Sequence, residues 1–221
     1  MGQTHVVVQG EHISGIAAKY GFVHYRKIWD HPQNAELKAL RENPNVLFPG
    51  DKVFIPDFEI KKENRSTDQL HPFKMPGEPL LLRLVLERLY SDPYANTPCV
   101  LVMGANRQDL TADGKGKVEQ KISKSLVDAG LIVKDHIVHN GASIPVDREI
   151  QVKVGHLDPV KERSGQQARL ANLGYYRGPA EGTDEDEFLS AVEEFQCEHK
   201  LLVDGKCGPV TQSKLIQVHG C

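Results

Sequence analysis

The spacing of apolar residues changes period twice along the chain. In residues 9–22, QGEHISGIAAKYGF, the apolar positions Ile13, Ile16, Ala17 and Tyr20 fall at i, i+3, i+4 and i+7, which predicts a short helix with one buried stripe. Gly21 supplies a left-handed stop, and Phe22 can fold back over the last turn. A β-like run at 6–8 precedes this helix, and a second short helix is predicted near 25–30. The stretch LFPGDKVFIPD then reads as a turn at Gly50-Asp51 followed by an alternating strand at 52–55, stopped by Pro56. Two strands alone cannot bury a sheet face, so both helices must cover it.

Residues 58–70, FEIKKENRSTDQL, are polar and without period, and read as a linker. Beyond them the pattern becomes that of short strands: HPFKM, LLLRLVLERL, PCVLVMG, GKVEQKI, GLIVKDHIV and EIQVKVG. The turn in TADGKGKVEQKI predicts a hairpin. Together these predict a β-sandwich over 71–155. From 156 to 221 the period is helical again, with three helices expected near 164–173, 184–199 and from Pro209 onward. Gly174 stops the first, and acidic residues fill the first turn of the second. Gly208-Pro209 opens the third. The expected class is therefore α+β multidomain, with boundaries at 1–57, 58–70, 71–155 and 156–221.

The residues at both ends resemble known families. THVVVQGEHISGIAAKYGF with NPNVLFPGDKVFIP is similar to a LysM domain, a βααβ module that holds N-acetylglucosamine-containing glycan. Glu11-His12 stands where that family usually has Asp-Thr, and NAELKAL reads as an added helical turn. The resemblance implies a shallow sugar groove between Gly10, Glu11, His12 and Ile13 on one loop and Asn45, Val46, Leu47 and Phe48 on the other. It further implies that backbone amides there meet sugar acetamides while Ile13 and Val46 face the methyl groups.

The last segment resembles a three-helix peptidoglycan-binding domain through Gln167, Leu170, Leu173-Gly174-Tyr175, Ala191-Val192, Phe195-Gln196, Val203-Asp204-Gly205, Gly208-Pro209 and Thr211. Tyr175, Tyr176, Asp204 and Gly205 are its implied contacts, with Tyr176 the outward tyrosine of the pair. The middle segment resembles the β-domain of proteins associated with bacterial contractile injection systems. These likenesses imply peptidoglycan as partner. They also imply an alternative role as a structural adaptor that binds a secretion-system spike protein or a toxin.

Composition narrows the choice. A formal charge of −3 without a basic stripe argues against nucleic acid. No apolar run reaches the length of a membrane span, since PLLLRLVL is broken by Arg83. No signal peptide is legible, so the expectation is synthesis in the cytoplasm and delivery to the periplasm or cell wall by a dedicated system. Cys99, Cys197, Cys207 and Cys221 are too unevenly spaced for a disulfide framework and are expected as free thiols, with a Cys197–Cys207 or Cys207–Cys221 bridge open to an oxidising compartment.

No catalytic constellation stands out. The stretch VHGC is similar to the Ser-His-Gly-Cys of L,D-transpeptidases, but a thiolate nucleophile needs a base and an oxyanion hole, and no chain follows Cys221 to build one. His136 and His139 are three apart on a strand and so face opposite ways. Asp113, Asp128, Asp135 and Asp147 are expected as solvated residues, not as a glycosidase pair. No cofactor or metal is expected. Trp29, the single tryptophan, is expected to fill the first core.

Overall fold

The computed structural model describes residues 2–58, 64, 66–70, 72, 79–88, 92–178 and 182–221. It combines helices with antiparallel strands, as an α+β chain should, and falls into two compact units. The first comprises Met1–His5, Ile13–Glu36 and Lys52–Val154; the second comprises Val6–His12, Leu37–Asp51 and Gly155–Cys221.

In the first unit, strand β1 (Gln3–Val6) pairs with β2 (Lys52–Ile55). Helices α1 (Ile13–Lys19) and α2 (Arg26–Trp29) supply the apolar residues that the small sheet lacks. Ile13, Ile16, Ala17, Ile28, Val53 and Ile55 are all buried, and Trp29 is 5% exposed. At the end of α1, Gly21 lies at φ +79° and the Phe22 amide donates to the Ala17 carbonyl at 2.8 Å, the left-handed stop that the pattern predicts. The strand begins at Gln3, ahead of the expected run at 6–8. Alternation continues past its end, with Val7 buried between exposed Val6 and Val8.

A 3-10 turn (Pro32–Asn34) runs into α3 (Ala35–Arg41), the added helical segment expected at NAELKAL. Asn34, 1% exposed, then substitutes for a missing strand. Its Nδ2 donates to the carbonyls of Ile28 and Phe54, each at 2.8 Å, and its Oδ1 accepts from the Phe54 amide at 2.7 Å. One side-chain amide thus satisfies the backbone of β2 on the side that no strand covers.

The same unit holds strands β3 (Leu80–Val85), β4 (Pro98–Met103), β5 (Asn106–Thr111), β6 (Lys117–Ile122), β7 (Asp128–His139) and β8 (Ala142–Lys153). β3 pairs with β6, and the other four form a sheet in the order β5-β4-β7-β8. Leu86, Tyr94, Cys99, Leu101, Val118, Ile122, Leu131 and Val133 join both sheets in one core. The expected strand HPFKM lies outside the described residues, apart from Pro72.

Three features depart from the sequence expectation. β5 was not anticipated, because NRQDLT is exposed at nearly every position and shows no period. Its place comes from the two-residue loop after Met103, which pairs it with β4 from Met103↔Asn106 to Pro98↔Thr111. The Asp113-Gly114 turn forms, but β5 and β6 do not pair; the turn carries the chain from one sheet to the other. Asp113 Oδ1 accepts from the amides of Lys115 and Lys117, both at 2.8 Å. Finally, β7 and β8 form one long hairpin around Asn140-Gly141, both at positive φ (50° and 77°). Asn-Gly is the strongest short hairpin signal, and it was present in the sequence.

Asp135 corrects a further expectation. It is the next inward position after Ala129, Leu131 and Val133 on β7, and it is only 4% exposed. Arg88 donates to it at 2.8 Å, Arg148 at 3.0 Å and the Tyr94 hydroxyl at 3.1 Å. Burial acts to raise the Asp135 pKa, but the hydrogen bonds from Arg88, the His136 amide, Arg148 and Tyr94 outweigh it. Its carboxyl is held well below the usual carboxylate range. Asp113, Asp128 and Asp147 are exposed, as expected.

Two measurements test these anchors. Asn34→Ala leaves the Phe54 amide and two carbonyls without their partner and should destabilise the first module by about 2 kcal/mol in urea, followed by Trp29 fluorescence. A loss under about 0.5 kcal/mol would remove Asn34 from this role. Because the pKa of Asp135 is depressed in the folded state, its contribution is present above the unfolded value near 4 and is lost as pH falls below it. Asp135→Asn should therefore cost about 2 kcal/mol at pH 7 and markedly less at pH 2.

Candidate functional site

The two loops of the expected sugar groove both fall in the second unit, except for Ile13. The Val7 amide donates to the Asp51 carbonyl and the Gly50 amide to the Val7 carbonyl, each at 2.9 Å, which ties the chain entering the first loop to the chain leaving the second. Glu11 closes its own turn: the Val8 amide donates to the Glu11 carboxylate and the Glu11 amide to the Val8 carbonyl, both at 3.1 Å. On the facing loop, Asp51 accepts from Arg41 through two bonds of 2.8 Å and from the Phe48 amide at 2.9 Å. The hydrogen bond to Asp51 raises the Arg41 pKa against the opposing effect of burial.

These loops do not present the surface that the resemblance implies. Ile13 is fully buried, and His12, Val46 and Leu47 are each under 7% exposed. Ile13 and Val46, the residues that would face acetamide methyls, are each withdrawn from the surface. Gly10, at φ +88°, lies against residues 155–158. A methyl group added at Gly155 would collide with the Gly10 carbonyl, and one added at Gly10 would press on the His156 ring. Gln9 Nε2 donates to the His156 carbonyl at 3.3 Å and reaches Asp158 Oδ1 at 3.4 Å. Of the expected groove residues, Asn45 remains exposed, and Phe48 is half-buried beneath the Arg41 guanidinium.

The rest of the second unit holds α4 (Arg163–Asn172), α5 (Glu185–Glu198) and α6 (Pro209–His219). Asp184 caps α5 by accepting from the Glu187 amide at 3.0 Å. Leu170, Tyr176, Phe188, Ala191, Val192, Phe195 and Leu215 form the core. Arg169, 2% exposed, is held by carbonyls of Cys221, Asp158 and Gly165 at 2.7–2.8 Å, and burial lowers its pKa.

The tyrosine pair is reversed from expectation. Tyr176 is 3% exposed, and its hydroxyl accepts from buried Gln167 at 3.2 Å. Tyr175 is the outward one. It packs edge-on against Phe195 at 5.4 Å and donates to Glu198 at 2.8 Å, with His199 at 3.4 Å. The helix stop at Gly174 decides this, since it sends the Tyr175 and Tyr176 amides back to the Leu170 carbonyl.

Asp204 and Gly205 owe their position to Gln196, which is 1% exposed. Gln196 Oε1 accepts from the amides of Asp204 and Gly205 at 3.0 and 3.1 Å. Its Nε2 donates to Asp204 Oδ1, the Lys206 carbonyl and Thr211 Oγ1 at 2.8–3.0 Å. Hydrogen bonds from the Lys206 amide and Gln196 hold the Asp204 carboxyl below its ordinary value. Around this clamped turn, Leu189, Leu202, Val203 and Val210 are 45–80% exposed. The sequence reading did not single out this apolar rim, although LLVDG contains two of its residues. A rigid polar turn ringed by apolar side chains can take a ligand that has hydroxyl or amide groups beside methyl groups.

Cys221 Sγ lies 3.3 Å from His219 Nδ1. Burial raises the thiol pKa, and burial with the Arg169 charge pushes His219 down to about 4. Both shifts disfavour the thiolate–imidazolium pair that cysteine catalysis uses. Among the described residues, no three His, Cys, Asp or Glu side chains gather as metal ligands, and no helix is long and apolar enough to cross a membrane.

Residues 162–215 match the model of a family described as a putative peptidoglycan binding domain. No curated protein and no solved structure matches the chain. The chain thus carries a peptidoglycan-binding domain built on α4, α5 and α6, and the Gln196-clamped turn lies within it.

Gln196→Ala should release that turn. The amides of Asp204 and Gly205 lose hydrogen-exchange protection, and the module loses about 3 kcal/mol in thermal unfolding. Unchanged protection at both amides would show that the turn stands without the clamp.

Proposed function

We propose that this protein binds bacterial peptidoglycan without turning it over, with the module at 162–215 as the principal contact. The family match on that module carries the reading, and the exposed apolar rim beside the Asp204 turn supports it. Tyr175, with Glu198 and His199, is the neighbouring polar contact; Tyr176 serves the core. The N-terminal segment resembles a LysM domain and contributes a weaker second contact with N-acetylglucosamine-containing glycan, so that two weak sites on one polymer reinforce each other. The strands of the middle segment separate the two in sequence. Delivery to the cell wall by a dedicated secretion system is part of this proposal.

A second reading makes the N-terminal segment a joint within an adaptor that meets a secretion-system protein. The packing of Gly10 against Gly155 and His156 favours it, since this leaves little of the Gly10–His12 loop open to a sugar.

Sedimentation with insoluble sacculi separates the two. The full chain should pellet at low salt and be released by soluble peptidoglycan fragments. Phe195→Ala, which opens a cavity in the C-terminal core at a cost of about 3–5 kcal/mol, should abolish pelleting while the middle strands keep their melting transition. Folded protein that stays in the supernatant would overturn the first reading and leave the second.

A further inference from the structure

A cleft of about 130 Å³ opens in the first unit, where the start of β1, the end of α1 and the end of β2 meet. Its floor is Ile55, 2% exposed. Three aromatic residues wall it: Tyr20, Phe22 and Phe58. The Gly21 stop brings Tyr20 and Phe22 to the same end of the helix. Phe22 meets Phe58 edge-on at 5.7 Å and 74°, while Phe58 stays 60% exposed. Tyr20 is fixed from behind by His5, whose Nδ1 is 3.1 Å from the Tyr20 hydroxyl. Gln3 and Asp57 stand on the rim.

We propose that this cleft is a glycan subsite that takes one neutral N-acetylhexosamine ring with its apolar face on Phe58. Three observations select that ligand. The volume falls below the range of drug-sized pockets and suits one ring, not two. An exposed aromatic face beside a carboxamide and a carboxylate matches a pyranose, which carries C–H groups on its face and hydroxyls at its edge. Among the described lining residues Asp57 carries the charge, and its carboxylate can accept hydrogen bonds from sugar hydroxyls. The subsite deepens the proposed function: it places the N-terminal glycan contact on Tyr20, Phe22 and Phe58 of the first unit.

The test is an NMR titration of the full chain with tetra-N-acetylchitotetraose. The amides of Tyr20, Asp57 and Phe58 should shift, with Gly10 and His12 unmoved. Phe58→Ala should weaken these shifts about tenfold, with Trp29 fluorescence showing that the module remains folded. The same variant should pellet with sacculi less completely, held by the C-terminal module alone. Still amides at Tyr20 and Asp57 in folded protein would overturn the subsite, as would equal shifts in the Phe58 variant. A response to a proline-rich peptide and none to the saccharide would identify a protein-docking cleft and overturn it too. If the cleft amides shift but the chain does not pellet, the subsite stands and the proposed function fails.

Discussion

Backbone polar groups that are buried without a strand or helix to pair them are the constraint on which both units depend. Modules this small must run loops through their interior, and each such loop needs a donor and an acceptor from elsewhere. A carboxamide supplies both. Asn34 does this for the free side of β2, and Gln196 does it for the turn at 204–206. Gln167 acts through its donor group, with Nε2 donating to the Tyr176 hydroxyl and the Gly182 carbonyl. All three are about 1% exposed. Each joins segments distant in sequence, so its loss releases a loop as well as a hydrogen bond.

Several expected contact residues turn inward. Ile13, Val46 and Leu47 are each buried and so are not left on a sugar-facing surface. Tyr176 is likewise claimed by the C-terminal core. Phe58 and, near the 204–206 turn, Leu202, Val203 and Val210 are among the apolar residues left exposed.

The middle sheets show how one charge can occupy an inward position. Asp135 continues the alternation of β7 into a place where a valine would be expected, and two arginines with a tyrosine hydroxyl compensate it. Arg88 also lies over the Tyr94 ring at 4.0 Å, so the cluster ties the segment after β3 to β7 through stacking as well as charge.

Local signals in the sequence determined the order of elements, the helix stops at Gly21 and Gly174, the acidic start of α5 and the Pro209 opening of α6. Each depends on one or two residues and their immediate neighbours. The resemblance carried by Gln167 to Thr211 was likewise legible, and the family match over 162–215 covers that stretch. The turn of the long β7–β8 hairpin is legible in Asn140-Gly141, whereas its twelve-residue strands are not, because their outward faces lack a clean alternation. Tertiary structure alone decided the pairing of β6 with β3 instead of β5, the burial of Asp135 and the inward turn of Tyr176. It alone set Gly10 against Gly155 and brought Phe58 to Tyr20 and Phe22. Such choices follow from which distant surface a residue meets, and a period read along the chain holds no information about that partner.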